Sequence, residues 1–148
     1  MRQVSAIFGI ILVFTILINP AFAITQLDRV DITNPRLVDA FDKPLSKQVN
    51  VNQQVQISAD IKNNQEKVQD FTFIIQVKNQ NNVIISLGFI SGSLSPGKTI
   101  SPAISWIPKA SDEYTVEIFV WNVPKEKDRM VWEMAEPLTE HTFLKITS

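Results

Sequence analysis

Few side chains in this sequence could carry out chemistry. His141 is the one histidine, and there is no cysteine. A thiolate nucleophile is therefore excluded. No Gly-x-Ser-x-Gly or His-Glu-x-x-His pattern supplies a nucleophile elbow or a metalloprotease helix. Asp28, Asp31, Asp39 and Asp42 are hard oxygen donors near the start of the chain, of the type that holds calcium. Their spacing matches no calcium loop, and solvated edge charges explain them equally well. Met130 and Met134, with His141 further along, present the thioether and imidazole donors that suit copper(I). A blue-copper electron-transfer centre needs two histidines and a cysteine, so that reading is excluded. No cofactor is expected, and the residues point away from catalysis. What remains is contact chemistry. Phe119, Trp121, Met130, Trp132 and Met134 belong to residue types enriched at protein interfaces. Together with Ile74 they form the expected interaction surface. Trp121 and Trp132 also offer flat faces on which a sugar could stack, which gives a ligand- or carbohydrate-binding alternative.

These side chains sit on, or between, short segments of alternating polarity. Gln54 to Lys62 alternates strictly, with Val55, Ile57, Ala59 and Ile61 on one face. Such alternation predicts a strand in a sheet with one buried and one wet face. Asp70 to Phe89 predicts a hairpin around an Asn-rich turn at Asn79–Asn82. Phe71, Phe73, Ile75 and Val77 are expected inward on its first strand, and Val83, Ile85, Leu87 and Phe89 on its second. Ile74 is then the odd apolar residue of the outward face. Gly88 predicts a bulge or a close backbone approach.

Glu113 to Asn122 predicts a long strand with Tyr114, Val116, Ile118 and Val120 inward and Phe119 and Trp121 outward. Thr99 to Trp106 reads as an edge strand because of Pro102, with Trp106 packing at the core or its rim. His141 to Thr147 reads as the last strand. Leu27 to Phe41 reads as a broken edge strand, interrupted at Asn34-Pro35. Pro96-Gly97 and Asp42-Lys43-Pro44 are turn signals. Seven or so short strands without a convincing core helix predict an antiparallel sandwich. Pro124 to Pro137 is the unusual stretch. Its simplest reading is a loop capping the open end of the sandwich; a helix over Lys125–Glu136 and a two-stranded ribbon are the alternatives.

The first residues have a different character. Arg2 precedes an apolar run over Ile7–Ile18, then Pro20 and Ala21-Phe22-Ala23. This is the pattern of a secretory signal peptide, with Ala21 and Ala23 at the cleavage site. Residues 1–23 are thus expected to be removed and 24–148 to form the domain. The apolar run is shorter than the ~20 residues of a membrane span, and no second such run follows, so no span is expected after cleavage. The formal charge of −1 offers no basic stripe for nucleic acid.

Three stretches carry a family resemblance: Val51 to Asn63, Gly92 to Pro108 and Tyr114 to Trp121. They resemble small secreted archaeal proteins of immunoglobulin-like type and, more distantly, bacterial cell-adhesion-related domains. The resemblance implies an immunoglobulin-like antiparallel sandwich of seven to eight strands, secreted or held at the cell envelope. The role expected of such a module is adhesive or protein-binding, with a protein, the surface layer or a second copy of the chain as partner. It carries over no functional residue. Tyr114, at the start of a strand after a turn, stands where such folds place a tyrosine corner.

Overall fold

The computed structural model describes residues 24–148. The expected leader, with Ala21 and Ala23, lies outside the described residues. Eleven strand segments are present: β1 (Val30–Val38), β2 (Val55–Asn63), β3 (Gln69–Lys78), β4 (Ile84–Leu94), β5 (Thr99–Ile100), β6 (Ala103–Trp106), β7 (Glu113–Asn122), β8 (Lys125–Glu126), β9 (Arg129–Met130), β10 (Glu136–Pro137) and β11 (Thr142–Thr147). They make two packed antiparallel sheets. In the first, β2 lies between β1 and the interrupted strand β5/β6; in the second the order is β4, β3, β7, then β10 and β11 side by side along β7. β8 and β9 form a separate small ribbon. The architecture is an immunoglobulin-like sandwich with seven main strand positions. Among the described residues no helix is long and apolar enough to cross a membrane.

The core lies between the sheets and follows the period-two pattern. Val55, Ile57, Ala59 and Ile61 of β2 face Phe73, Ile75 and Val77 of β3 and Val116, Ile118 and Val120 of β7, all buried. Tyr114 closes one corner. Its hydroxyl donates to the Ala110 carbonyl at 2.6 Å, and its ring meets Trp106 edge-on at 5.0 Å. The tyrosine-corner expectation is met by this geometry. Pro102 splits the edge strand in two, and its freed carbonyl accepts from the buried Ser58 hydroxyl at 3.0 Å. The break at Asn34-Pro35 is a bulge: pairing with β2 shifts between Thr33 and Arg36, with Asn34 left-handed at φ 52°. Gly97, at φ 65°, supplies the expected turn.

The second hairpin strand departs from expectation. Asn79 organises the turn as expected, its side-chain oxygen accepting from the Asn81 and Val83 amides. Beyond it, Lys78 pairs with Ile84 but Val77 pairs with Ser86, so Ile85 is an extra residue. Without that bulge, Ile85, Leu87 and Phe89 would oppose Val77, Ile75 and Phe73 and point inward. One added residue reverses the phase. Ser86, Gly88 and Ile90 therefore take the inward face, while Leu87 and Phe89 point out, 65% and 52% exposed. Val83 and Ile85 are exposed as well. Gly88 is a close-approach glycine: a Cβ there would lie 2.9 Å from Ile104 of the opposite sheet.

Candidate functional site: an aromatic groove on the outer sheet face

The outward face of the β4-β3-β7 sheet can be read in rows from the strand register. Leu87, Gln76, Glu117 and Phe143 form one row; Phe89, Ile74 and Phe119 form the next; Ser91, Thr72, Trp121 and Pro137 form a third. A sheet face of this type is ordinarily polar, yet here the middle row is wholly apolar and the rows on either side are half apolar. Phe119 is flanked on one side by Trp121, ring centroids 6.1 Å apart and near-perpendicular, and on the other by His141, stacked at 5.3 Å.

The chain then folds back over this face. After β7, Lys127 and Asp128 both take left-handed backbone, which makes the two-residue hairpin turn between β8 and β9. A 3-10 turn over Trp132–Met134 follows, and β10 returns to pair with Asn122 and Trp121 of β7. This excursion sets Trp132 edge-on against Phe89, with centroids 5.3 Å apart. The result is a groove of about 410 Å³ lined by Ile74, Gln76, Leu87, Phe89, Phe119, Trp121 and Trp132. Ile74 is its floor, only 8% exposed.

One end of the groove is polar and internally satisfied. Gln76 Nε2 donates to Glu117 at 2.7 Å, and Lys78 Nζ bonds the other carboxylate oxygen at 2.9 Å. Beyond Trp121 the same strands carry Thr72 and Ser91, whose hydroxyls are hydrogen-bonded at 2.9 Å, then Asp70 and Ser93. With Asn122 and Lys125 these line a second, hydrophilic depression of about 290 Å³.

Of the six residues expected to form an interaction surface, Ile74, Phe119, Trp121 and Trp132 meet in the groove. Met130 and Met134 do not line it. Met130 borders a shallow depression with Glu126, Arg129 and Glu133, and Met134 is 55% exposed. The capping-loop reading of Pro124–Pro137 does not hold: no residue in that stretch is buried, and its tryptophan lies on the sheet face. The helix reading reduces to a single 3-10 turn. The ribbon reading comes nearest, limited to β8 and β9. Sequence reasoning missed Leu87 and Phe89 as surface residues because it assigned them to the core. The available signal was the small-residue series Ser86, Gly88 and Gly92, which marks the face of β4 turned toward the other sheet.

Two of the four candidate calcium acids, Asp39 and Asp28, are engaged locally. Asp39 accepts from the backbone amides of Phe41 and Lys43, at 2.8 and 3.0 Å. These bonds hold its carboxyl below the ordinary range. Asp28 accepts from the Thr25 hydroxyl. Among the described residues no three His, Asp or Glu side chains converge in a way that could hold a metal ion.

No protein-family model and no curated protein matches the chain. Solved structures do. The crystal structure of the C-terminal domain of Wzt is similar over 81% of this chain and 74% of that one, with a TM-score of 0.60 and 16% identity. A β-glucuronidase of glycoside hydrolase family 2 is similar over 82% of this chain but only 13% of its own, with a TM-score of 0.55 and 10% identity. At these identities the similarity is one of fold: this chain has an immunoglobulin-like β-sandwich, of a type that also occurs as a minor part of a much larger enzyme.

Proposed function

We propose that this protein is an exported, non-catalytic binding module acting at the cell envelope or outside the cell. In this reading the aromatic groove receives an apolar or aromatic side chain presented by a protein partner, such as a surface-layer protein. The observation that carries it is the composition of the groove. Six of its seven lining residues are apolar, and the seventh, Gln76, directs its amide at Glu117. None of the six is needed to fill the space between the sheets, so their cost in exposed apolar surface calls for a role outside the core. The export half of the proposal rests on the residues of 1–23, with their basic start, apolar run and Ala-x-Ala site.

The test is capture. Immobilised protein exposed to an envelope extract should retain a specific protein. Trp132→Ala and Phe119→Ala should each reduce that capture by about tenfold or more, as for an aromatic anchor at an interface. Phe41→Ala, an exposed aromatic outside the groove, should leave it unchanged. Equal capture by Trp132→Ala and the wild type would remove the groove from the reading.

The hydrophilic depression beyond Trp121 favours a second reading, a glycan stacked on Trp121 with its hydroxyls toward Thr72, Ser91 and Asp70. That ligand should quench tryptophan emission, and Ser93→Ala should weaken its binding. A protein partner confined to the groove would not respond to Ser93→Ala.

A further inference from the structure

The sandwich has four sheet edges, and three are blunted. β1 is broken by the bulge at Asn34-Pro35 and carries Asp31 and Arg36. The β5/β6 edge is interrupted at Pro102. On the far side of β7, β10 contains Pro137, and β11 carries Lys145 and is bridged at Thr147 by the Lys47–Val49 backbone. Proline, charge and bulges are the usual ways to keep an edge from pairing with another chain.

The fourth edge, β4, lacks charge and proline altogether. From Val83 to Leu94 the sequence reads V-I-I-S-L-G-F-I-S-G-S-L, and it contains no acidic, basic or proline residue. Its one irregularity is the bulge at Ile85, near the start. Val83, Ile84, Ile85, Leu87, Phe89 and Ile90 are all exposed. One side of its backbone is paired with β3, and nothing among the described residues pairs with the other. A row of alternating amide and carbonyl groups flanked by exposed apolar side chains is the pattern that an added extended strand matches.

We propose that the occupant is β4 of a second copy of this chain, paired antiparallel about a two-fold axis near Gly88. The sequence is self-complementary under that operation. Beyond the bulge, Gly88 meets its own counterpart, Leu87 meets Phe89 on the outward face, and Ser86 meets Ile90 on the inward face. With no charge in the segment, no like charges are brought together, as a self-pairing requires. The two-fold uses both free edges at once, so the assembly closes as a dimer instead of growing into a fibre. The two sheets become one continuous sheet, with one aromatic groove per copy and the Leu87 and Phe89 walls of the two grooves meeting at the axis. This inference stands on the edge and is independent of what the groove holds.

The absence of cysteine makes the test clean. Purified protein should show a concentration-dependent monomer–dimer equilibrium by sedimentation. Ile85→Lys combined with Ile90→Lys should raise the dimer dissociation constant by about tenfold or more, two charges per copy being set against an apolar edge. Its circular dichroism spectrum should match that of the wild type, which guards against misfolding. Under mild oxidation an equal mixture of Leu87→Cys and Phe89→Cys chains should form a disulfide-linked dimer, whereas Phe143→Cys, exposed on the opposite edge strand, should not. Trp132→Ala should disturb groove binding and leave the dimer intact, so failure of one proposal is separable from failure of the other. A wild-type protein that stays monomeric at all accessible concentrations would overturn the inference. So would crosslinking through Phe143→Cys but not through the mixture of Leu87→Cys and Phe89→Cys.

Discussion

At the scale of single residues, the polar side chains that matter most for stability are the buried ones. Asn63 is wholly buried at the end of β2. Its amide donates to the Lys67 and Leu94 carbonyls at 2.7 and 2.9 Å, and its oxygen accepts from the Gln65 amide at 2.9 Å. Asn63→Ala leaves three backbone groups short of a partner, and chemical denaturation should show a loss of about 2–3 kcal/mol. Tyr114→Phe removes one hydrogen bond but keeps the ring on Trp106; its loss should be near ~1 kcal/mol. Trp132→Ala lies at the other extreme. Its side chain is 42% exposed and packs against Phe89 on the outer sheet face, so the unfolding midpoint should barely move while binding in the groove is lost. This contrast between two aromatic residues separates packing from recognition.

At the scale of elements, one bulge decides what the hairpin does. The inward series of β3 and the faces of β2 and β7 were legible from alternation, because a strand paired on both sides and buried on one face leaves its period in the sequence. The tyrosine corner was legible too, since Tyr114 follows a turn and opens a long strand. The face of β4 was not. Alternation places the larger residues Ile85, Leu87 and Phe89 in one phase and Ser86, Gly88 and Gly92 in the other, so it reads the larger set inward; the reversal rests on a one-residue insertion in the ladder, which periodicity does not report. The path of Pro124–Pro137 was illegible for a related reason: its apolar residues serve a surface and carry no core pattern. The inward face of β4 can be tested directly. Gly88→Val places a branched side chain where a Cβ alone would come within 2.9 Å of Ile104. Thermal unfolding should show a destabilisation of about 1–3 kcal/mol. The same change at an outward position, Ser93→Val, should cost little.

For the whole molecule, the sheets are joined mainly by apolar contact, and charge enters at their margins. Asp60 of β2 is the best-connected carboxylate. Burial raises its pKa, but the Ser101 hydroxyl at 2.6 Å, the Arg36 guanidinium at 2.7 Å and the Asn34 amide together outweigh that and hold it below the ordinary value of 3.8. A carboxyl depressed in the folded state stabilises the fold above its unfolded pKa, and that stabilisation is lost as the pH falls through its folded value. Stability should therefore decline below about pH 4, and Asp60→Asn should lower the neutral-pH stability while flattening that acid limb. Finally, β3 pairs with β4 across a five-residue connection, but with β7 only through contacts such as Gln76–Glu117, 41 residues apart. Local contacts close fast and distant ones slowly. The β3–β4 hairpin therefore forms first, and both of its edges stay open until β7 arrives to cover β3. During that interval the same uncharged β4 that pairs two finished molecules can also pair unfinished ones. Refolding yield should consequently fall with protein concentration more steeply for the wild type than for the Ile85→Lys, Ile90→Lys variant.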